Sequence, residues 1–105
     1  MIKIDKGTTL HDKKVRETAN RYKREGWSVQ ADIAGYKSPD SIGKYNRVPD
    51  VVAKKGKKIR IFEIETPKSM KIDTSQRRTF SKHAAMNENT TFKTLVAKKP
   101  RKRKK

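Results

Sequence analysis

The chain has 105 residues and a formal net charge of +18, from 29 Lys and Arg against 11 Asp and Glu. Hydrophobic residues make up only 31%, against the roughly 45–50% of ordinary globular chains, so we expect one domain with a small core. The lack of cysteine excludes disulfides and cysteine-ligated zinc, and no apolar run reaches the roughly 18 residues of a membrane-spanning helix.

The first half of the chain predicts a helix, a strand and a loop. Thr8 or Thr9 can cap a helix that runs to about Glu25. Its narrow apolar stripe recurs at helical spacing and consists of Val15, Thr18, Ala19 and Tyr22. Residues 27–34 alternate in places as a strand does, and residues 35–46, with two glycines and a proline, predict a loop.

The second half predicts two strands, a helix and a last strand. Residues 48–53 and 59–65 are rich in β-formers and flank a lysine-rich stretch centred on one glycine, which predicts a hairpin. Residues 73–87 predict a helix capped at their first or second position, and residues 91–97 predict a strand. The element order α, β, β, β, α, β predicts one α/β (α+β) domain over residues 1–97.

Three acidic residues, Asp50, Glu63 and Glu65, lie inside the most apolar part of the chain. Side chains alternate between the two faces of a strand, so Glu63 and Glu65 share a face, roughly 6.6 Å apart along the backbone. In an antiparallel hairpin Asp50 falls opposite Ile61, Glu63 or the residue between them. The first two registers place it on the glutamate face, and the intermediate register places it on the other.

Three carboxylates at the edge of a core are costly unless a cation or a proton compensates them. Mg²⁺, or Mn²⁺ as a substitute, suits such a cluster because it prefers carboxylates, water and phosphate oxygens. On a basic protein this arrangement favours metal-assisted hydrolysis of a phosphodiester. The simpler alternative is that the three acids form ion pairs with some of the 29 Lys and Arg.

The residues around these acids resemble a known nuclease motif. The motif consists of Val48-Pro49-Asp50, a step of thirteen residues to Glu63, and then Glu63-Ile64-Glu65. It resembles the motif of the PD-(D/E)xK nuclease superfamily. The size of the chain and its Lys-Gly-Thr-Thr-Leu opening resemble the archaeal Holliday junction resolvases of that superfamily. The resemblance covers residues 10–97. It implies a restriction-endonuclease-like αβββαβ core with a mixed sheet flanked by helices, an Mg²⁺-dependent endonuclease acting on branched or duplex DNA, and a possible homodimer.

The resemblance also implies roles for the motif residues. Asp50 and Glu63 would hold the metal, with the backbone carbonyl of Ile64 as a further ligand. Glu65 stands where the family usually has lysine, so it is expected to be a general base or an additional metal ligand. Lys68 could supply the missing positive charge if the chain turns back after the proline between them.

Two further site residues are expected on the helices. The resolvases place a glutamate early in the first helix, where this chain has His11 and Asp12, with Glu17 further along. His11 falls on the side of the apolar stripe and is the first candidate, although a solvated or partly buried histidine is an alternative. Gln76, at the start of the second helix, resembles the glutamine that some members use beside the metal.

Basic and aromatic side chains are candidate DNA contacts. Arg77, Arg78 and Lys82 suit phosphate groups, although a solvated helix face explains them as well. Tyr36 and Tyr45 lie in the predicted loop, where they could stack on bases or could simply pack against the protein.

The last eight residues form a separate, strongly basic segment. They contain seven of the 29 basic residues and no acid, so the first 97 residues keep a net charge of +11. Such a run predicts a disordered tail and a polyanionic partner, nucleic acid above all, in a soluble protein of the cytoplasm or nucleoid with no membrane partner. The candidate phosphate ligands are Lys98, Lys99, Arg101, Lys102, Arg103, Lys104 and Lys105.

Two other functions remain open from the sequence. A ribosomal or architectural protein that binds nucleic acid without catalysis would have the same composition and the same tail. A nuclease fold that binds DNA without cutting it is the other, and Glu65 in place of lysine supports it.

Deletion of residues 98–105 is expected to weaken binding to all DNAs and to flatten the dependence of affinity on salt. With fewer phosphate contacts, binding releases fewer counterions from the DNA. Binding titrations over a range of salt concentrations measure the slope. An unchanged slope would show that the tail does not touch phosphate.

Overall fold

Two helices and four strands follow one another in the predicted order in the computed structural model, which describes residues 9–71 and 74–97. The elements are α1 (Leu10–Arg24), β1 (Ser28–Ala31), β2 (Val51–Lys55), β3 (Lys58–Glu65), a 3-10 turn (Ser69–Lys71), α2 (Thr74–Met86) and β4 (Thr90–Val96). The predicted order α, β, β, β, α, β is confirmed.

The four strands form one open sheet in the order β1-β2-β3-β4. β2 pairs antiparallel with both β1 and β3, whereas β3 and β4 run parallel. The sheet is therefore mixed, and the helices pack on its two faces, α1 on one and α2 on the other. This confirms an α+β fold with a mixed sheet flanked by helices. β3 has a partner on each side, as the apolar residues on both of its faces predict.

α1 forms where the apolar stripe predicts it. Thr9 caps the helix, since its Oγ1 accepts a hydrogen bond from the Asp12 backbone N–H at 3.0 Å. The chain leaves the helix at Gly26, whose φ of +92° is a left-handed conformation that favours glycine. The stripe packs against Phe62 and Ile64 of β3. Its buried members are the predicted Val15, Thr18, Ala19 and Tyr22.

α2 covers the opposite face of the sheet. Phe80 is fully buried there, against Val52 of β2 and Ile61 of β3. Its ring centroid lies 5.7 Å from that of Phe92 on β4. This second core is small, and it fixes α2 over the half of the sheet that carries Glu63.

Two strands are shorter than predicted. β1, expected over residues 27–34, ends at Ala31, where the backbone N–H donates to the Lys37 carbonyl at 2.9 Å as the loop folds back. β2 begins at Val51 rather than three residues earlier, because Pro49 has no backbone N–H to give to a ladder.

The hairpin between β2 and β3 is tighter than its lysine-rich sequence indicates. The two strands continue to Lys55 and Lys58, so only two residues, starting with Gly56 at φ +60°, form the turn. A two-residue turn with glycine in a left-handed conformation matches the twist of the strands.

Some expectations concern residues outside the described ranges. The basic tail at 98–105, the segment before Thr9 and the alternative helix cap Asp73 all belong to that group. Within residues 9–71 and 74–97, no helix is long and apolar enough to cross a membrane.

Candidate active site

The three acidic side chains meet at one end of the sheet, where β2 begins and β3 ends. Val51 pairs with Phe62, so continuing the antiparallel register by one residue brings Asp50 opposite Glu63. This is one of the two registers that place Asp50 on the glutamate face. All three carboxyl groups are buried, with exposed fractions of 8% for Asp50, 5% for Glu63 and 2% for Glu65.

Asp50 is held by the backbone and by a histidine. Its Oδ2 accepts a hydrogen bond from the Ile64 backbone N–H at 2.8 Å and lies 3.3 Å from His11 Nε2. The other ring nitrogen of His11 lies 3.2 Å from Asp12 Oδ1. His11 thus reaches the site from the first turn of α1, while Glu17 is exposed further along the same helix.

The contact with Asp50 changes the protonation of His11. The hydrogen bond to Asp50 and the negative charges of Asp50 and Asp12 raise the pKa of His11 to about 9, although partial burial opposes them. His11 therefore carries a positive charge at neutral pH, at the rim of the site.

Glu63 is the least compensated of the acids. Gln76, in the first part of α2, donates from Nε2 to Glu63 Oε2 at 2.6 Å, but Glu63 Oε1 is buried without a hydrogen-bond partner. Burial, followed by the neighbouring charges of Asp50 and Glu65, raises the pKa of Glu63 to about 9. Without a bound cation, Glu63 is protonated at neutral pH.

Glu65 is compensated in another way. Its Oε1 accepts a hydrogen bond from Ser69 Oγ at 2.5 Å, and its Oε2 lies 3.3 Å from Arg77 Nη1, an ion pair not aligned for a hydrogen bond. Arg77 also donates from Nη2 to the Met70 carbonyl at 2.7 Å. The cation beside Glu65 is thus Arg77, not Lys68, which is exposed.

Neither the contact of Ser69 with Glu65 nor the inward position of Arg77 was predicted from the sequence. Arg77 was expected to contact phosphate, and here its side chain is 17% exposed and faces Glu65. The turn after β3 that places Ser69 does have a local sequence signal, since Thr66 and Ser69 are three residues apart. The side chain of each accepts a hydrogen bond from the backbone N–H of the other, at 2.8 and 3.1 Å. No local pattern marks Arg77, because its partner lies on another element.

Of the other candidates, two lie on the surface of α2. Arg78 and Lys82 are exposed on α2. Ile64 is buried in the core under α1, and its backbone N–H holds Asp50. The seven basic residues of the tail lie outside the described ranges.

Asp50 and Glu63 fit a divalent cation as a pair. In the part of the chain that the structure describes, no group of three or more His, Cys, Asp or Glu side chains is arranged to hold a metal ion. Mg²⁺ does not need such a group, since one or two carboxylates together with water and substrate phosphate complete its shell. The unpartnered Glu63 Oε1 beside Asp50 offers a ligand for it.

No family model, curated protein or solved structure matches the chain.

The metal-free protein is expected to lose stability as the pH rises from about 4.5 to about 9. Folding raises the pKa of Glu63 from 4.5 and that of His11 from 6.5, both to about 9, so the folded state binds more protons than the unfolded state. The His11 contribution is complete below pH 6.5 and is lost toward pH 9. Denaturation in EDTA across this pH range measures the slope.

Glu63→Gln removes one of the two groups and is expected to flatten that slope, by on the order of 1 kcal/mol per pH unit. Glu88→Gln is the matched control. Glu88 is exposed in the turn before β4, beside the end of β3 that lies away from Glu63. Equal slopes for the wild type and Glu63→Gln would contradict the assignment.

Proposed function

We propose that this protein is a metal-dependent DNA endonuclease that hydrolyses phosphodiester bonds, of the PD-(D/E)xK type and similar to archaeal Holliday junction resolvases. One observation carries the proposal. Asp50 and Glu63 are buried side by side, and Glu63 Oε1 has no hydrogen-bond partner, in a chain whose net charge of +18 suits a phosphate backbone.

The partners of these two acids argue against a purely structural role. Within residues 9–71 and 74–97, neither Asp50 nor Glu63 forms an ion pair with a lysine or an arginine. Lysine and arginine are abundant, and Arg77 reaches Glu65 on the same strand. A pair of buried carboxyls that lacks such a partner is typical of a site that binds a cation.

The residues around the pair have distinct tasks in this proposal. Asp50 and Glu63 hold the ion, which when bound neutralises the scissile phosphate and lowers the pKa of the attacking water. The Ile64 N–H orients Asp50 and Gln76 orients Glu63. His11, positively charged and about a third exposed, presents its charge to the entering phosphate.

Glu65 differs from the lysine of the motif, and this favours a second candidate function. Its carboxylate is already engaged by Ser69 and Arg77, which limits its use as a base. A nuclease fold that binds DNA without cutting it would tolerate such an arrangement. In the catalytic alternative, Arg77 provides the positive charge near the site and Glu65 holds it there.

The substrate is proposed to be branched or duplex DNA, recognised by its shape and backbone. Arg78 and Lys82 are exposed on α2, the helix that supplies Gln76, and with the tail at 98–105 they are the proposed phosphate contacts. Two symmetric cuts at a junction would require a homodimer. A DNA substrate implies the cytoplasm or nucleoid as the compartment.

Cleavage of branched, duplex and single-stranded DNA in Mg²⁺ or Mn²⁺, with EDTA as the blank, tests the catalytic function. Glu63→Gln is expected to reduce cleavage by more than about a hundredfold. Mutation of residues that only hydrogen-bond to a metal ligand already lowers metal affinity or activity about 10- to 100-fold. Glu88→Gln should cleave like the wild type.

DNA binding without cleavage in every metal would overturn the catalytic function and leave the binding-only fold. Cleavage that survives Glu63→Gln would place the active site elsewhere.

Binding of Mn²⁺ or Mg²⁺ is expected to expel the Glu63 proton, on the order of one proton for each ion at pH 7, because the pKa of Glu63 is raised to about 9. Calorimetry in two buffers of different ionisation enthalpy counts the protons. Glu63→Gln should bind at least about tenfold more weakly and release none, with Glu88→Gln as the control. Binding without proton release would contradict the role of Glu63.

A further inference from the structure

A closed turn presents an exposed tyrosine beside α2. Ile42 and Arg47 exchange two backbone hydrogen bonds, of 2.7 and 3.1 Å, and the Asn46 N–H donates to the Gly43 carbonyl at 3.1 Å. Gly43 and Asn46 both have positive φ, at +81° and +53°, which suits these residue types in tight turns. Tyr45 lies within this turn and is 67% exposed.

The turn is anchored to α2. A Cβ added to Gly43 would lie only 3.0 Å from Thr79 Cγ2, so the backbone approaches the helix closely. Arg47 Nη2 donates to Ser75 Oγ at 3.2 Å. The position of Tyr45 is therefore set relative to the helix that carries Gln76.

Two cations lie against the exposed ring. Lys44 Nζ is 5.2 Å and the Arg47 guanidinium carbon 5.7 Å from the centroid of Tyr45. The other loop tyrosine is different, since Tyr36 packs against the core and its hydroxyl donates to Asn20 at 2.6 Å. Tyr45 is thus the more exposed of the two loop tyrosines.

A cavity of about 440 Å³ lies between the turn and α2. Ile42, Tyr45 and Met86 give it apolar walls, and Lys44 and Lys82 give it a cationic rim. Met86 is 73% exposed, so these walls are open to a ligand. The volume falls within the range of small-ligand sites, roughly 300–1,000 Å³. An aromatic wall with cations around it suits a planar base joined to phosphates.

We propose that this cavity binds an unpaired nucleobase of the DNA substrate. The base stacks on Tyr45, and the phosphates on either side of it meet Lys44 and Lys82. A base inside a continuous duplex is already stacked on its neighbours and has no face free for Tyr45. The cavity therefore favours DNA that has unpaired nucleotides near the cleaved bond, such as a branch point or a single-stranded flank.

The distance to the carboxylates sets where the unpaired base lies. Gln76, beside Glu63, and His83, in the cavity wall, are seven residues apart on α2, or about 10 Å along its axis. If the DNA between them is duplex, that is on the order of three base-pair steps at about 3.4 Å each. In its choice of substrate and in this spacing, the inference rests on the proposed function.

The test measures binding of the full chain, in EDTA, to an oligothymidine strand and to the same strand with abasic residues. Tyr45→Ala is expected to weaken binding to oligothymidine by about 5- to 150-fold, the range for one lost base–aromatic stack, with the salt slope unchanged. On the abasic strand it should bind like the wild type. Tyr45→Phe and Tyr36→Phe should retain wild-type binding to both strands.

Lys44→Ala separates stacking from charge, since it should lower the salt slope by about 0.7 for a single strand. The proposal is overturned if the wild type binds abasic and normal strands equally, if Tyr45→Ala lowers the salt slope as Lys44→Ala does, or if Tyr45→Ala alters only self-association in sedimentation.

Because EDTA prevents cleavage, the two proposals fail separately. Base-dependent binding by a protein that never cuts DNA would refute the nuclease and keep the cavity. Metal-dependent cleavage without base dependence would do the opposite.

Discussion

The burial of two carboxyl groups side by side is the constraint around which the rest of the site is arranged. The register of β2 and β3 brings Asp50 opposite Glu63, and α2 covers that end of the sheet with Gln76. Two negative charges in so little water are not tolerated together. In the metal-free protein a proton on Glu63 and the charge on His11 relieve them, and a divalent ion would do so through the same oxygens.

The end of β3 compensates neighbouring acids by two different means. Glu65, two residues beyond Glu63, has an arginine and a serine as partners. Glu63 has the Gln76 amide as a partner for one oxygen, and its other oxygen has no hydrogen-bond partner. The strand alternation that makes them neighbours therefore does not make them equivalent. Arg77 pairs with Glu65. The oxygen that still lacks a partner belongs to Glu63, next to Asp50.

The sequence predicted what local periodicity determines. Alternation in β3 predicted the shared face of Glu63 and Glu65, and the stripe of α1 predicted its buried side, whereas the role of His11 was one of several alternatives. It did not predict the inward turn of Arg77 or the end of β1 at Ala31, because both depend on partners distant in sequence. The hairpin register was not predicted for a related reason. The lysine-rich residues 54–58 do not indicate by themselves that only two of them form the turn.

The hydrogen bond from Gln76 and the proton on Glu63 have a consequence for how the fold holds its buried acids without an ion. Because this proton lowers the charge buried at the end of the sheet, folding does not require a metal, in contrast to small zinc domains that fold only around their ion. The fold can therefore form with Glu63 protonated, although one of its oxygens is left without a hydrogen-bond partner. An ion that binds there would exchange with the proton of Glu63 and would not be needed to assemble the fold.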